Sequence, residues 1–143
     1  MTTATDTNLA PRLRLGVMRL ARRLRQQAGH DVTPSMLSAL STIERLGPLT
    51  LGRLAELERV RPPTISKVVT RLEDDDLVVR TVDEVDQRVA HVTLSPRGKA
   101  LVRSARSRKD AFLADRLRAL STDERAALER AVGVIEGMLE DDR

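Results

Sequence analysis

The chain has no cysteine, no tryptophan, no tyrosine and a single phenylalanine, Phe112, among its 143 residues. Without thiols there is no disulfide framework, no thiolate metal site and no cysteine nucleophile. Without aromatic rings the core must be built from Leu, Val, Ala and Ile, a composition that suits packed helices. Only two histidines are present, His30 and His91, in unrelated contexts. No Ser-His-Asp set, metal-ligand spacing or phosphate-binding loop accompanies them, so neither an enzyme nor a cofactor is expected. The acidic run Glu73–Asp76 lacks the glycine and the spacing of a calcium loop and reads as a helix end, not a metal site. No apolar run approaches a membrane span, and the first residues, MTTATDTNLAPRLRLG, hold no continuous apolar segment of a secretion signal. The expectation is a soluble cytoplasmic protein with no membrane partner.

Charge, by contrast, is plentiful and uneven. Residues 1–30 hold six cations and one acid, a net +5, and residues 31–60 come to −1. Residues 61–109 hold eleven cations and seven acids, a net +4, whereas 110–143 hold five cations and nine acids, a net −4. Basic charge gathered in blocks suits a polyanionic partner.

The length is that of one domain, and no internal repeat, low-complexity stretch or linker divides it. Leu9, Leu13, Val17, Leu20 and Leu24 recur at helical spacing, which predicts a helix over about 9–28 stopped by Gly29. Thr33-Pro34 caps and starts a second helix, ended by Gly47-Pro48, and Thr50 caps a short third over Leu51–Glu58. The stretch RVRPPTISKVVTRLEDDD, Arg59–Asp76, then opens a fourth helix on two prolines. Proline at the first helical position loses no hydrogen bond and has a helical φ already, so the prolines fix the helix start. Ile65, Val68, Val69 and Leu72 form its buried stripe, leaving Thr64, Ser66, Lys67, Thr70 and Arg71 facing outward.

The period then changes from helical to alternating. LVVRTV (77–82) and RVAHVTL (88–94), separated by the polar turn DEVDQ, predict a two-stranded hairpin in which His91 points outward. Ser95-Pro96 restarts helix to about Leu120, and Ser121 with Glu124 makes a capping box for a last helix. That order is mainly α with a small β-hairpin wing: a winged helix-turn-helix over about 33–95, flanked by helices over about 9–28 and 96–140. In a helix-turn-helix the second helix enters the major groove with its N-terminal residues at base edges. Thr64 and Ser66 are short enough for close approach, and Lys67 and Arg71 can reach phosphate or guanine.

The order of elements and the wing string DQRVAHVTLSPRG, Asp86–Gly98, resemble the MarR family of bacterial transcription regulators. Asp86, Arg88, Val92, Leu94, Ser95 (where the family has Thr) and Gly98 hold the family's places. The resemblance implies a homodimer on double-stranded DNA, with Arg61, Pro62, Thr64, Ser66, Lys67, Thr70 and Arg71 at the major groove. It also implies that the wing tip, Arg88 oriented by Asp86, enters the minor groove. Two departures stand out: Arg61 occupies the place of a capping serine, and Asp76 that of a glycine before the wing.

The apolar stripes at the chain ends, Leu9, Leu13, Val17 and Leu20 with Leu128, Ala131, Val132, Ile135 and Leu139, lie outside the winged-helix core and predict a dimer interface. The family's members often bind small aromatic ligands, for which His30, Met36, Leu40 and Phe112 are candidate contacts, each also readable as core or surface. The functional expectation is a sequence-specific regulator, a repressor released by a small-molecule ligand. A winged-helix protein-interaction module, or a sequence-independent DNA-binding protein, remains the alternative.

Overall fold

Among the described residues, four helices begin at a hydroxyl that takes up an otherwise unpaired backbone N–H. The computed structural model, which describes residues 4–29 and 32–140, comprises α1 (Ala4–Gln27), α2 (Pro34–Leu46), β1 (Leu49–Thr50), α3 (Leu51–Glu58), α4 (Pro62–Asp74), β2 (Val78–Val82), β3 (Ala90–Leu94), α5 (Pro96–Arg118) and α6 (Thr122–Glu140). Thr33 Oγ1 accepts from Met36 N at 3.2 Å, Thr50 Oγ1 from Arg53 N at 3.1 Å and Ser95 Oγ from Gly98 N at 2.9 Å. Ser121 Oγ accepts from Glu124 N while Glu124 Oε1 accepts from Ser121 N, both at 3.1 Å, which completes the capping box. Glu124 is held below the usual carboxylate range by that backbone N–H first and by the Ser121 hydroxyl second.

Two expectations are corrected here. Helix α1 starts at Ala4, not Leu9, and runs through Pro11, because its polar first turns carry no apolar spacing to announce them. The predicted hairpin is present as β2 and β3, and β1 adds an unforeseen third strand, giving an antiparallel sheet of order β1-β3-β2. Leu49 pairs with Val92 and Thr50 with His91, while Val78 pairs with Leu94 and Val82 with Ala90. The second predicted strand is also shorter, since Arg88 sits in the turn. His91, flanked by Thr50 on one side and Thr81 on the other, is half-buried instead of fully outward.

The core gathers Leu40 and Ile43 of α2, Leu54 of α3, Ile65, Val69 and Leu72 of α4, and Val92 of β3. Glu58 at the end of α3 accepts from Ser38 Oγ at 2.7 Å and Thr42 Oγ1 at 2.5 Å, tying the helix-turn-helix to α2. Helix α6 is different: none of its residues is buried.

Candidate nucleic-acid interface

The turn between α3 and α4 depends on one residue in the left-handed region. Arg59 has φ 54°, ψ 43°, and its N–H bonds back to Glu56 O at 3.1 Å, so the chain reverses within three residues. Arg61 then adopts an extended conformation before Pro62 and Pro63 and makes no side-chain capping bond, as its departure from serine predicts. Its guanidinium is left at the surface beside the start of α4.

Along α4 the helical period divides the side chains cleanly. Ile65, Val69 and Leu72 are buried, and Val68 is half-buried at the edge of the stripe. Arg61, Pro62, Thr64, Ser66, Lys67, Thr70 and Arg71 are all exposed. The structure therefore brings the predicted contact set of this helix onto one solvent face. Arg71 is not idle there, since its Nε donates to Asp75 Oδ2 at 3.1 Å.

The wing turn is built from two aspartates. Asp83 Oδ1 accepts from Val85 N at 2.8 Å and from Asp86 N at 3.1 Å, which closes the turn, and these N–H groups, Asp86's first, hold the Asp83 carboxyl below its ordinary range. Asp86 Oδ1 accepts from Arg88 Nε and from Arg88 N, each at 3.1 Å, and Oδ2 takes Arg88 Nη2 at 3.4 Å. The Arg88 guanidinium lowers the Asp86 carboxyl first, and the Arg88 backbone N–H adds to it. The Arg88 side chain, 91% exposed, is thus aimed by a carboxylate that contributes little stability at so open a site.

Two side chains went unmarked in the sequence. Asp83 could have been found, because an aspartate just ahead of a polar turn is the usual acceptor for its N–H groups. Arg80 gave no such signal. It lies on β2, held by Glu73 Oε1 at 2.6 Å from Nη2, and lines a notch of about 390 Å³ with Arg88, Thr50, Leu51 and Gly52. That notch exists only because β1 brings the start of α3 beside the wing.

The base of the wing explains both Asp76 and Gly98. Asp76 takes φ 59°, the left-handed conformation for which a glycine is the easier residue, and its carbonyl accepts from Ser95 Oγ at 2.6 Å. A Cβ on Gly98 would lie 2.0 Å from Leu77 O, so only glycine lets α5 approach the start of the wing this closely.

Of the four candidate ligand residues, three lie among the described residues. Met36 and Leu40 are packed into the core, one of the readings left open for them. Phe112, half-buried on α5, has Arg116 over its ring at 3.4 Å and Arg23 of α1 at 5.9 Å, a cation–π contact between helices. His30 lies outside the described residues. Of the dimerisation candidates, Leu9, Leu13, Val17, Leu20, Leu128, Ala131, Val132 and Leu139 are exposed in the single chain, and Ile135 is half-exposed. Leu9 and Leu13 line an apolar groove of about 540 Å³ with Ala131, Val134, Ile135 and Met138.

Among the described residues no helix is long and apolar enough to cross a membrane. Residues 32–90 match the MarR family. An uncharacterized HTH-type transcriptional regulator of Mycobacterium leprae is 42% identical over 132 residues, 92% of each chain. A MarR family protein from Bacillus stearothermophilus shares the fold at a TM-score of 0.83, with 26% identity over 98% of this chain and 99% of that one. Streptococcus pneumoniae FabT, solved in complex with DNA, superposes at a TM-score of 0.72 and 18% identity, over 96% of this chain and all (100%) of its own. From the profile, the mycobacterial relative and the shared winged-helix architecture, the chain belongs to the MarR family of helix-turn-helix transcriptional regulators.

Proposed function

We propose that the protein is a cytoplasmic, sequence-specific regulator that binds double-stranded DNA as a homodimer on pseudo-palindromic operators, and that it is a repressor released by a small-molecule ligand. The observation that carries the DNA reading is α4, which buries Ile65, Val69 and Leu72 and leaves its hydroxyls and cations in solvent. Thr64 and Ser66, near the N-terminal end, read base edges in the major groove, while Arg61, Lys67, Thr70 and Arg71 meet phosphates or guanine beside Pro62. Arg88, turned outward by Asp86, enters the narrow and strongly negative minor groove. FabT, which shares this fold, was solved in complex with DNA, which supports a DNA partner for this chain.

The dimer reading rests on the chain ends. A 19-residue helix with no buried residue and exposed Leu128, Val132, Val134, Met138 and Leu139 is an apolar patch that a soluble monomer seldom leaves in water. Pairing it with α1 across a two-fold axis covers that surface, and the +5 of residues 1–30 against the −4 of residues 110–143 favours the match. Two α4 helices then face half-sites about one helical turn, roughly 10 base pairs, apart. A dimer so placed occludes the promoter, and a ligand that favours another spacing of the two α4 helices releases it.

The test is duplex binding by fluorescence anisotropy, on duplexes selected from a random pool and on scrambled controls, across a salt series. Tight binding to the selected duplex, weakening steeply with salt, is expected. Equal affinity for both duplexes would indicate sequence-independent binding, and no salt-dependent binding at all would favour a protein-interaction module.

A further inference from the structure

Among the described residues, two that are not glycine take the left-handed conformation, Arg59 at φ 54° and Asp76 at φ 59°. Each ends a helix in the same way. Val60 N bonds to Ala55 O at 3.0 Å and Arg59 N to Glu56 O at 3.1 Å, just as Leu77 N bonds to Leu72 O at 2.8 Å and Asp76 N to Glu73 O at 3.0 Å. This nested pair of bonds is the Schellman ending, whose left-handed position is most often glycine. Aspartate, short and polar, enters that region comparatively easily, whereas arginine does not. The turn from α3 to α4 therefore keeps a side chain that its backbone disfavours. Among the described residues Arg59 has no ion-pair partner to account for it. The carboxylates nearest it in sequence are engaged, Glu56 with Arg53 at 2.9 Å and Glu58 with the hydroxyls of Ser38 and Thr42. Arg59 and Arg61 are both exposed, so two cations stand within three residues of Pro62, where α4 begins.

We propose that Arg59 is a contact to DNA phosphate, and that the strained turn is kept because this guanidinium docks one backbone phosphate beside the start of α4. In a helix-turn-helix the N-terminal residues of the second helix reach the base edges, so the sugar-phosphate strand bordering the groove passes next to this turn. A guanidinium can meet that phosphate with two parallel N–H bonds, a geometry an ammonium cannot reproduce. A phosphate contact carries no sequence information of its own. Arg59 therefore adds affinity alike on every duplex and leaves the readout to Thr64 and Ser66. The proposal deepens the DNA-binding reading above and rests on it.

The full chain is compared with Arg59→Gly, Arg59→Gln, Arg59→Lys and Lys67→Ala. Each is unfolded in urea at one protein concentration and bound to selected and scrambled duplexes by anisotropy across a salt series. Arg59→Gly is expected to unfold at a higher urea concentration than the parent, because glycine adopts the left-handed conformation without strain. It should nevertheless bind every duplex about fivefold more weakly at ~0.15 M salt, the effect of one counterion no longer released. Its salt slope should fall by roughly one unit, with the ranking of duplexes unchanged. Arg59→Gln should lose the same affinity without the gain in stability, and Arg59→Lys should keep the slope but recover only part of the affinity. Parental affinity and slope in Arg59→Gly and Arg59→Gln, while Lys67→Ala lowers the slope, overturn this proposal and leave the DNA reading intact. Arg59→Gly less stable than the parent overturns the strain argument, since the cation would then serve the negative end of the α3 dipole. A reordered ranking of duplexes makes Arg59 a base contact and overturns the phosphate assignment. A parent chain with no salt-dependent duplex binding removes the DNA reading and this proposal with it.

Discussion

Adding one methyl group at Gly98 should cost far more than adding one at Gly133, although both sit in helices and the substitution is the same. In Gly98→Ala the new Cβ would lie 2.0 Å from Leu77 O. That oxygen belongs to a nearly fully buried backbone and accepts from Ser95 N at 3.0 Å, so no flexible side chain can give way. The first turn of α5 must move by more than about an ångström to restore van der Waals contact. Overpacking of this kind costs about 1–3 kcal/mol, and straining the Ser95 and Asp76 hydrogen bonds adds about 1 kcal/mol. The sum is about 2–4 kcal/mol, a large share of the ~5–15 kcal/mol that holds a domain together. At Gly133 nothing lies within 4 Å, so Ala removes backbone freedom from the unfolded chain and stabilises by about 0.5–1 kcal/mol. Urea unfolding of both variants at one fixed protein concentration tests the pair, the fixed concentration being needed because assembly shifts apparent stability. Gly98→Ala within about 0.5 kcal/mol of the parent would refute the close approach, and so would equal destabilisation at both positions.

Arg88→Ala should keep the fold and the dimer but weaken duplex binding at least tenfold, about 1.4 kcal/mol. Near-normal affinity at fixed salt would remove the minor-groove role. Thr64→Ala and Ser66→Ala should reorder the ranking of duplex sequences, whereas Lys67→Ala should weaken all of them and lower the salt slope by roughly one unit. A ranking unchanged by the two hydroxyl deletions would mean the readout face is misassigned. Leu13→Asp combined with Ile135→Asp should sediment as a monomer and lose specific DNA binding, although no residue on the α4 face is altered. A dimer that survives both charges would refute the interface. Asp83, Asp86 and Glu124 have native carboxyls below their ordinary range, so their stabilisation is present above the unfolded carboxylate range and lost as pH falls through the native values. Replacing all three by their amides should flatten the fall of unfolding free energy below about pH 5. An unchanged pH profile would show that these bonds persist in the unfolded chain or contribute nothing.

What the sequence by itself determined is local in its causes. Thr33, Thr50, Ser95 and Ser121 each cap a helix through a bond spanning three residues, so the signal and its effect sit within a single window. The outward face of α4 is legible for the same reason: the 3.6-residue period that buries Ile65, Val69 and Leu72 exposes Thr64, Ser66 and Lys67. Asp86 and Arg88, two residues apart, pair within one turn. What only the tertiary structure decided depends on residues distant along the chain. Strand β1 is two residues long and becomes a strand only by pairing with β3, some forty positions later. That pairing half-buries His91 and brings Arg80 and Arg88 beside the start of α3. Gly98 is required by the carbonyl of Leu77, and Asp76 is held left-handed where α4 meets the wing. Met36 and Leu40 were readable from the sequence either as ligand contacts or as core, with nothing local to say whether core or cleft faced them. The tightly packed interior settled that question, because a side chain's burial is fixed by what packs over it, and no local window contains that information.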